Sequence, residues 1–362
     1  MKFVIFGLTI TSSWGNGHAT LWRGLCKALA KLGHRMVFFE RDVPYYAGAR
    51  DFNECEGLEI VLYPEWDAVR TLAAAQTRDA DVTIVTSYCP DALDATDLVL
   101  AKARGLRVFY DLDTPVTLAH LRRGLPVAYI GEKGLSGFDL VLSFTGGATL
   151  DHLKTLLGAR RVAPLYGHVD PAVHAPAPPQ PHYRAGLSYL GTYAADRQTA
   201  LERTFVEPAR QRLQDRFLIG GAQYPQDFPW SDNIYFVRHL SPSEHAAFYS
   251  SSRLTLNVTR ASMAENGWCP SGRLFEAAAC GAAMLSDPWP GLEEFFTPGS
   301  EILLTSSAHE TLAAMDLDDQ EIARIARAGR ERVLDEHTSD RRAHELEAML
   351  GSTVATRELV EA

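Results

Sequence analysis

Short apolar runs alternate with helix-length amphipathic stretches along the chain. In the first half, strand-like runs cover residues 3–8, 36–40, 59–63, 82–86, 108–111 and 140–144. Stretches with helical spacing lie between them, for example residues 20–32, 93–103 and 149–157. Runs such as VTIV and LVLSF are continuously apolar, as expected for strands that are covered on both faces. This alternation predicts βαβ units and a parallel sheet.

A proline-rich stretch at residues 171–181 interrupts this pattern, and a second alternation of strand-like and helical segments follows it. Proline excludes both helix and central strand, so this stretch predicts a linker. The chain ends in a helical tail, with predicted N-caps at Asp319 and Ser339. We therefore predict a first α/β domain at 1–170, a linker at 171–183, a second α/β domain at 184–338 and a C-terminal helix at 339–362. A chain of 362 residues suits two domains.

Composition excludes several classes of protein. The chain is 46% hydrophobic and 22% charged, which is typical of a globular protein. Its formal charge of −10 disfavours a nucleic-acid partner, because nucleic-acid binding needs a basic surface. The five cysteines show no metal-ligand spacing, and we expect reduced thiols. The N-terminal apolar run is too short for a signal peptide or membrane span, so we expect no transmembrane segment and a cytoplasmic location.

The segment CPSGRLFEAAACGAAMLSD, residues 269–287, combines a turn, a short helix and a strand. Ser271 and Gly272 form the turn, and Arg273 lies in the first helical turn. Free backbone N–H groups and the helix dipole favour an anion there. Glu276 lies one turn further on among apolar residues, where a carboxylate needs a hydrogen-bonding partner. An amphipathic helix with Glu276 facing solvent is the alternative interpretation.

Together with PWPGLEEFFTPGSEILL at residues 288–304, this segment resembles the nucleotide-sugar half of GT-B glycosyltransferases. The resemblance is to the family-4-like and CgeB-like (spore-protein) group. It implies an α/β fold of two Rossmann-like, doubly wound parallel-sheet domains that face a cleft, with a helical tail returning to the first domain. It also implies that Glu276 holds the donor ribose and that the preceding helix N-terminus receives the diphosphate.

The same resemblance implies further donor contacts. Glycine in the turn after the SYL strand lets a diphosphate approach the backbone, and the segment VRHLSPSEH is expected to seat the nucleobase through backbone groups. The donor is expected to be linked to UDP or TDP, without metal or other cofactor, because the motif DLD at 111–113 belongs to a different context from the metal-binding DxD of GT-A enzymes. An ion-pair or surface role is the alternative for the arginines. The predicted donor residues are Gly191, Thr192, Arg197, His239, Leu240, Arg260, Ser271, Gly272, Arg273 and Glu276.

The loop after the first strand, TSSWGNGHATLWRGL, contains Gly15 and Gly17 and leads to His18 at the start of a helix. A dinucleotide fingerprint would need a third glycine where Thr20 stands. An oxidoreductase would also need an acid for the ribose, for which Glu40 and Asp42 are the candidates. These departures make a dinucleotide site the weaker interpretation.

His18 is a candidate general base because imidazole titrates near neutral pH. Asp111 and Asp113 follow a later strand of the same predicted sheet, and Asp113 would orient the ring, as in the inverting GT-B enzymes that this arrangement resembles. A helix-capping or packing histidine is the alternative. Trp14 and Trp22 could form a wall for the acceptor, although core packing is the other role for at least one of them. The predicted acceptor residues are Trp14, Gly15, Gly17, Trp22 and Tyr88.

The sequence therefore predicts a hexosyltransferase-type enzyme that moves a sugar from a nucleotide diphosphate sugar to a hydroxyl of a small molecule or glycan. Retaining family-4 enzymes commonly carry a second glutamate eight residues before the one at Glu276, but this chain has Trp268 there, with Glu265 displaced by three. Inversion is therefore favoured. A nucleotide-sugar 2-epimerase and a degenerate GT-B module with a structural role remain alternatives, and a homodimer is left open.

Overall fold

The computed structural model describes residues 1–361, with side chains described as far as Arg357. The chain divides into two compact units. Unit 1 comprises Met1–Tyr166 and the chain from Ser339 onward, and unit 2 comprises Gly167–Thr338.

Unit 1 contains a seven-stranded sheet in which every pair is parallel, with the order β3-β2-β1-β4-β5-β6-β7. The apolar runs of the sequence become its central strands, which are buried on both faces. Its strands are β1 (Lys2–Gly7), β2 (Arg35–Arg41), β3 (Leu58–Tyr63), β4 (Val82–Thr86), β5 (Leu106–Asp111), β6 (Leu140–Ser143) and β7 (Val162–Pro164). The connecting helices are α1 (His18–Lys31), α2 (Pro44–Ala47), α3 (Trp66–Asp79), α4 (Ala92–Lys102), α5 (Thr114–Arg122) and α6 (Thr149–Leu157).

Unit 2 contains a second parallel sheet of six strands with the order β10-β9-β8-β11-β12-β13. Its strands are β8 (Ala185–Leu190), β9 (Phe217–Gly221), β10 (Ile234–Arg238), β11 (Ser252–Asn257), β12 (Ala283–Ser286) and β13 (Leu303–Leu304). Its helices are α7 (Gln198–Leu201), α8 (Glu207–Gln211), α9 (Pro242–Ser250), α10 (Ala261–Asn266), α11 (Gly272–Ala279), α12 (Ala308–Met315) and α13 (Asp319–Glu336), and a π-helical segment, Glu202–Val206, joins α7 to α8. The predicted pair of doubly wound α/β domains is confirmed.

The proline-rich stretch, which the sequence predicts as a linker, lies within unit 2 and packs against its helix α9. The Ala177 N–H donates to Ser250 Oγ at 3.0 Å, and the Gln180 N–H donates to Ser251 Oγ at 2.8 Å. Because proline has no backbone N–H, few N–H groups in this stretch need an acceptor. The serine hydroxyls at the end of helix α9 accept from those of Ala177 and Gln180. The chain crosses between the units at Tyr166–Gly167 and at Thr338–Ser339, outside the proline-rich stretch.

The helical tail consists of two helices that belong to different units. Helix α13 is capped by Asp318, whose carboxylate accepts from the Glu321 N–H at 2.8 Å, and not by the predicted Asp319. The final helix, α14 (Ser339–Glu361), packs against α1 of unit 1 through an apolar row that includes Ala343, Leu346 and Leu350. Among residues 1–361, no helix combines the length and apolarity that a membrane span requires.

Trp22 lies in the core of unit 1, so its predicted place in an acceptor wall is wrong. The side chain is fully buried on helix α1, with its ring edge-to-face against Phe38 and Tyr110 at centroid distances of 5.7 and 6.0 Å. A ring enclosed on all sides offers no face to a ligand. Trp14, by contrast, is partly exposed in the loop before α1.

This difference predicts unequal effects on stability. Trp22→Ala should lower the free energy of unfolding by about 3–5 kcal/mol, because it removes a fully buried aromatic side chain and leaves a cavity. Trp14→Ala is the matched control and should cost clearly less. Urea denaturation followed by circular dichroism would measure both values, and equal costs would contradict this assignment.

Candidate functional site

The loop that carries His18 is held in place by a buried carboxylate. Glu40, at the end of β2, is fully buried and accepts hydrogen bonds from the hydroxyls of Thr9 and Thr11 and from the N–H groups of Ile10 and Thr11. These bonds compensate the cost of burying the charge. Glu40 is therefore occupied by the loop itself, which disfavours the ribose-binding role that a dinucleotide site would give it.

Gly15 is required in this loop, whereas Gly17 is not. Gly15 has a φ of +66°, and an added Cβ would lie 2.8 Å from Tyr45 Oη. Gly17 has a φ of −95° and open space around the position of a Cβ. The predicted tight turn therefore rests on Gly15 alone.

His18 contacts Asp113 across the carboxyl edge of the sheet. The distance from His18 Nε2 to Asp113 Oδ2 is 3.0 Å, and both side chains are largely buried. Asp113 Oδ2 also accepts from Ser87 Oγ at 2.7 Å, and Ser87 Oγ accepts from the Leu112 N–H at 3.0 Å. The Ala19 N–H, which a capping side chain would accept from, donates to Asn16 Oδ1. His18 is thus positioned as the end of a polar chain and not as a helix cap.

The other nitrogen of His18 and one oxygen of Asp111 are left without partners. Both His18 Nδ1 and Asp111 Oδ2 are buried and form no hydrogen bond. Burial raises the pKa of Asp111 from 3.8 to about 7, with a smaller contribution from the neighbouring Asp113 carboxylate. The edge therefore holds one histidine and two carboxyl groups, and the pKa of one of these, Asp111, is raised towards neutral pH.

Tyr88 lies beside His18. It follows β4, is 43% exposed and has a φ of +56°, an uncommon value for a residue with a Cβ. Its ring meets the His18 ring edge-to-face at a centroid distance of 6.4 Å and the Tyr129 ring at 5.0 Å. A strained, exposed aromatic residue beside a buried histidine is a suitable contact for a ligand.

In unit 2, two backbone turns approach each other closely at the carboxyl edge of the sheet. The Gly191 N–H donates to the Gly220 carbonyl at 2.9 Å. A Cβ at Gly221 would lie 2.1 Å from the Gly191 carbonyl oxygen, and one at Gly191 would lie 2.8 Å from Arg273 Nη2. A Cβ at Gly221 would clash with backbone, whereas one at Gly191 would displace the ends of the Arg273 and Tyr189 side chains. The turn at Gly191 therefore lies directly beside a guanidinium.

Arg273 is held by neutral partners. Its Nη1 donates to Asn257 Oδ1 at 2.8 Å, and its guanidinium lies 5.1 Å from the centroid of the Tyr189 ring. Asn257 is in turn fixed by Nδ2 bonds to Thr259 Oγ1 and Ser286 Oγ. The charge of Arg273 is therefore positioned without an ion pair to any described carboxylate.

Two further arginines flank the same turn. Arg197 donates from Nη2 to the Thr192 carbonyl at 2.7 Å, and its Nε is buried without a partner. Burial lowers the pKa of Arg197, and the nearby Arg273 and Arg260 lower it further. Arg260 is half exposed and pairs with Asp196 at 3.3 Å, as its alternative interpretation expected. The cluster retains uncompensated positive charge at Arg197 and Arg273.

Helix α11 begins beside this cluster. Ser271 is its N-cap, and its side chain forms no capping hydrogen bond, so it satisfies none of the free N–H groups of the first turn, which starts at Gly272. Glu276, one turn later, is largely buried instead of facing solvent, and its Oε2 lies 3.8 Å from His245 Nδ1. His245 and its neighbour His174 are missing from the predicted site residues, because nothing in the sequence brings residues 174, 245 and 276 together.

The remaining predicted residues lie at other loops of unit 2. The His239 N–H donates to the Gly221 carbonyl at 2.7 Å, and His239 has a φ of +51° at the end of β10. The side chain of Leu240 is buried. Trp268, where a second glutamate would stand, donates from Nε1 to Glu294 Oε1, and Glu265 is exposed on α10.

Comparisons with known proteins agree with this architecture. Residues 197–348 match the model of a family described as glycosyl transferase-like. The structure is similar to a sucrose-phosphate synthase from Thermosynechococcus elongatus, with a TM-score of 0.69 and 14% identity over 98% of this chain and 99% of that one. It is also similar to Anabaena HepE in complex with UDP and glucose, with a TM-score of 0.63 and 13% identity over 97% and 100% of the two chains.

A third similar structure is an alpha-glucosyltransferase in complex with UDP and a 13-mer DNA, with a TM-score of 0.67 and 12% identity over 97% and 99% of the two chains. A comparison with curated protein sequences found no match. At these identities the structural similarity establishes the fold. The chain has the GT-B fold that the sequence predicts.

The raised pKa of Asp111 predicts that the free energy of unfolding falls as the pH rises from 3.8 towards about 7. A carboxyl group with a folded pKa of about 7 and an ordinary value of 3.8 stabilises the folded state fully below the ordinary value and loses that contribution as pH rises towards 7. Asp111→Asn removes the titration. The variant should therefore gain stability relative to the unmodified protein by up to about 1.4 kcal/mol for each pH unit between these values.

Denaturant unfolding at several pH values between about 4 and 8 would measure this difference. Asp94→Asn, an exposed substitution on α4, is the control and should show a nearly constant difference. A constant difference for Asp111→Asn as well would contradict the assignment.

Proposed function

We propose that this chain is a glycosyltransferase that moves a sugar from a nucleotide diphosphate sugar, linked to UDP or TDP, to an acceptor hydroxyl. The observation that carries the proposal is the pair of guanidinium groups, Arg197 and Arg273, at the Gly191–Thr192 turn beside the start of α11. The matched family and the UDP bound in two similar structures support a nucleotide-sugar donor. The resemblance of residues 269–304 to the CgeB-like group is the basis for proposing that the enzyme is related to that group.

The donor diphosphate is assigned to the arginine cluster and the start of α11. A diphosphate needs fixed positive charge and N–H donors, and both are present before any ligand binds. Tyr189 Oη, Tyr249 Oη and Arg197 Nε are buried in this region without hydrogen-bond partners. Buried polar groups without partners are costly, so a polar ligand that supplies bonds there is favoured.

Departure of the nucleoside diphosphate is proposed to need no metal. As the bond from the anomeric carbon to the phosphate oxygen breaks, negative charge grows on the leaving oxygens. Arg273, Arg197 and the dipole of α11 stabilise that charge through fixed positions. Glu276 is assigned to the ribose hydroxyls and His239 with Leu240 to the nucleobase, both through the family resemblance.

His18 is assigned as the general base, with inversion at the anomeric carbon. When Asp113 accepts from Nε2–H, the lone pair of His18 is on Nδ1, which is buried and without a partner. The acceptor must displace the side chains that cover Nδ1 before its hydroxyl can donate there. Asp113 then stabilises the imidazolium that forms. Tyr88 and Trp14 are the aromatic groups assigned to the acceptor.

Donor binding is expected to depend on Arg273 and on the absence of a side chain at Gly191. Arg273→Ala should weaken UDP binding roughly 10- to 100-fold, because a charged hydrogen-bond donor to the diphosphate is lost. Gly191→Ala should weaken it as well, since its Cβ would displace the guanidinium. Isothermal titration with UDP measures both. Arg212→Ala, which breaks an exposed ion pair with Asp316, and Gly351→Ala, which meets open space, are the controls.

A thermal-shift panel of nucleoside diphosphates and their sugars would identify the donor, and product analysis without an acceptor would separate the proposed transferase from an epimerase. Stabilisation by no nucleotide in the panel would favour a degenerate module instead. Unchanged UDP affinity in Arg273→Ala would show that the diphosphate binds elsewhere.

Catalysis is expected to depend on His18 separately from donor binding. His18→Ala should lower kcat by about 10²- to 10⁴-fold, because the proton acceptor is lost, and it should leave the Kd for UDP unchanged. Asp113→Asn should lower kcat less. Initial rates with the donor and acceptor found by screening measure these effects. A full rate for His18→Ala would rule out its role as base.

A further inference from the structure

Two histidines and a glutamate converge within unit 2. His174 comes from the proline-rich stretch, His245 from α9 and Glu276 from α11. His174 Nε2 lies 3.5 Å from His245 Nδ1, and His245 Nδ1 lies 3.8 Å from Glu276 Oε2. One ligand atom from each residue lies within 4.8 Å of the other two. Segments far apart in sequence thus present three metal-binding side chains to one point.

The spacing of these atoms suits a small transition-metal ion. Nitrogen and oxygen ligands bind Zn²⁺ at about 2.0–2.2 Å, so neighbouring ligands of a tetrahedral ion are roughly 3.3–3.5 Å apart. The two observed separations of 3.5 and 3.8 Å need only small side-chain movements to reach this arrangement. Two imidazoles and one carboxylate also match a common zinc ligand set, with a fourth position left for water or another ligand.

All three side chains are largely buried. His174 is 4% exposed, and the side chains of His245 and Glu276 are 14% and 17% exposed. Two neutral imidazoles facing each other can share at most one hydrogen bond, whereas a cation between them satisfies both lone pairs and the carboxylate.

We infer that His174, His245 and Glu276 form a Zn²⁺ site that ties the proline-rich stretch to helices α9 and α11. The ion is not assigned a role in sugar transfer, because Arg273 and Arg197 are the groups placed at the leaving diphosphate. One consequence rests on the proposed function: Glu276 is also assigned to the donor ribose, so Zn²⁺ and the donor compete for it.

The experiment is a zinc titration of the full chain after treatment with a chelator, using competition with a chromophoric zinc indicator. One equivalent of Zn²⁺ should bind, and Co²⁺ added in its place should give the visible absorption of a four-coordinate ion. His174→Ala and Glu276→Gln should each weaken zinc binding at least about tenfold, as expected for loss of a direct ligand. His182→Ala, at an exposed histidine directly after the proline-rich stretch, should bind zinc like the unmodified protein.

Circular dichroism of each variant separates a lost ligand from a lost fold, and the near-isosteric Glu276→Gln keeps the test valid if His174→Ala does not fold. Absence of stoichiometric binding, or equal affinity in Glu276→Gln and the unmodified protein, would overturn the site. Saturating UDP, corrected for its own zinc affinity, should weaken zinc binding. If UDP leaves the zinc affinity unchanged while the variants still bind zinc more weakly, the metal site is supported and the proposed competition between zinc and donor for Glu276 is contradicted.

Discussion

Parallel pairing of the strands is the constraint on which the candidate site residues of unit 1 and those of unit 2 both depend. In unit 1, β1, β4 and β5 are neighbours in register, so the loops after them emerge at one edge of the sheet. His18, Tyr88 and Asp113 meet there although nearly a hundred residues separate the first from the last. In unit 2, the neighbouring parallel strands β8, β11 and β12 bring Gly191, Asn257 and Ser286 to one edge of the sheet. The carboxyl edge of an open parallel sheet is the usual position of a ligand site.

The two edges also share an energetic feature. Buried polar atoms without partners are found at both, His18 Nδ1 and Asp111 Oδ2 at one, Tyr189 Oη and Arg197 Nε at the other. Each carries a cost that folding must offset elsewhere, in cores such as the one around Trp22. Such costs are expected where polar groups await a ligand.

The strands, the two-domain fold and the short helix that carries Arg273 could be predicted because they follow from local patterns. Apolar runs of strand length, turn residues and helix caps are read within a few residues of one another. Whether a side chain is buried depends on contacts with distant segments, so burial could not be predicted from local patterns. Trp22 and Trp14 are equally plausible ligand contacts in the sequence, but Trp22 lies on the face of helix α1 that packs into the core. The proline-rich stretch has the composition of a linker, but the end of α9 supplies its hydrogen-bond partners.

Resemblance to a known family implied the GT-B architecture, whereas the sequence by itself determined two α/β domains, the turn at Gly191, the arginine at the start of α11 and, as a hypothesis, the pairing of a loop histidine with a later aspartate. Periodicity and short motifs are sufficient for these. Only the tertiary structure decided that Glu40 is occupied by its own loop, that Arg273 forms no ion pair with a carboxylate among the described side chains, and that His174 and His245 lie beside Glu276. These depend on contacts between segments far apart in the chain, which are set by strand order and helix packing and leave no local pattern.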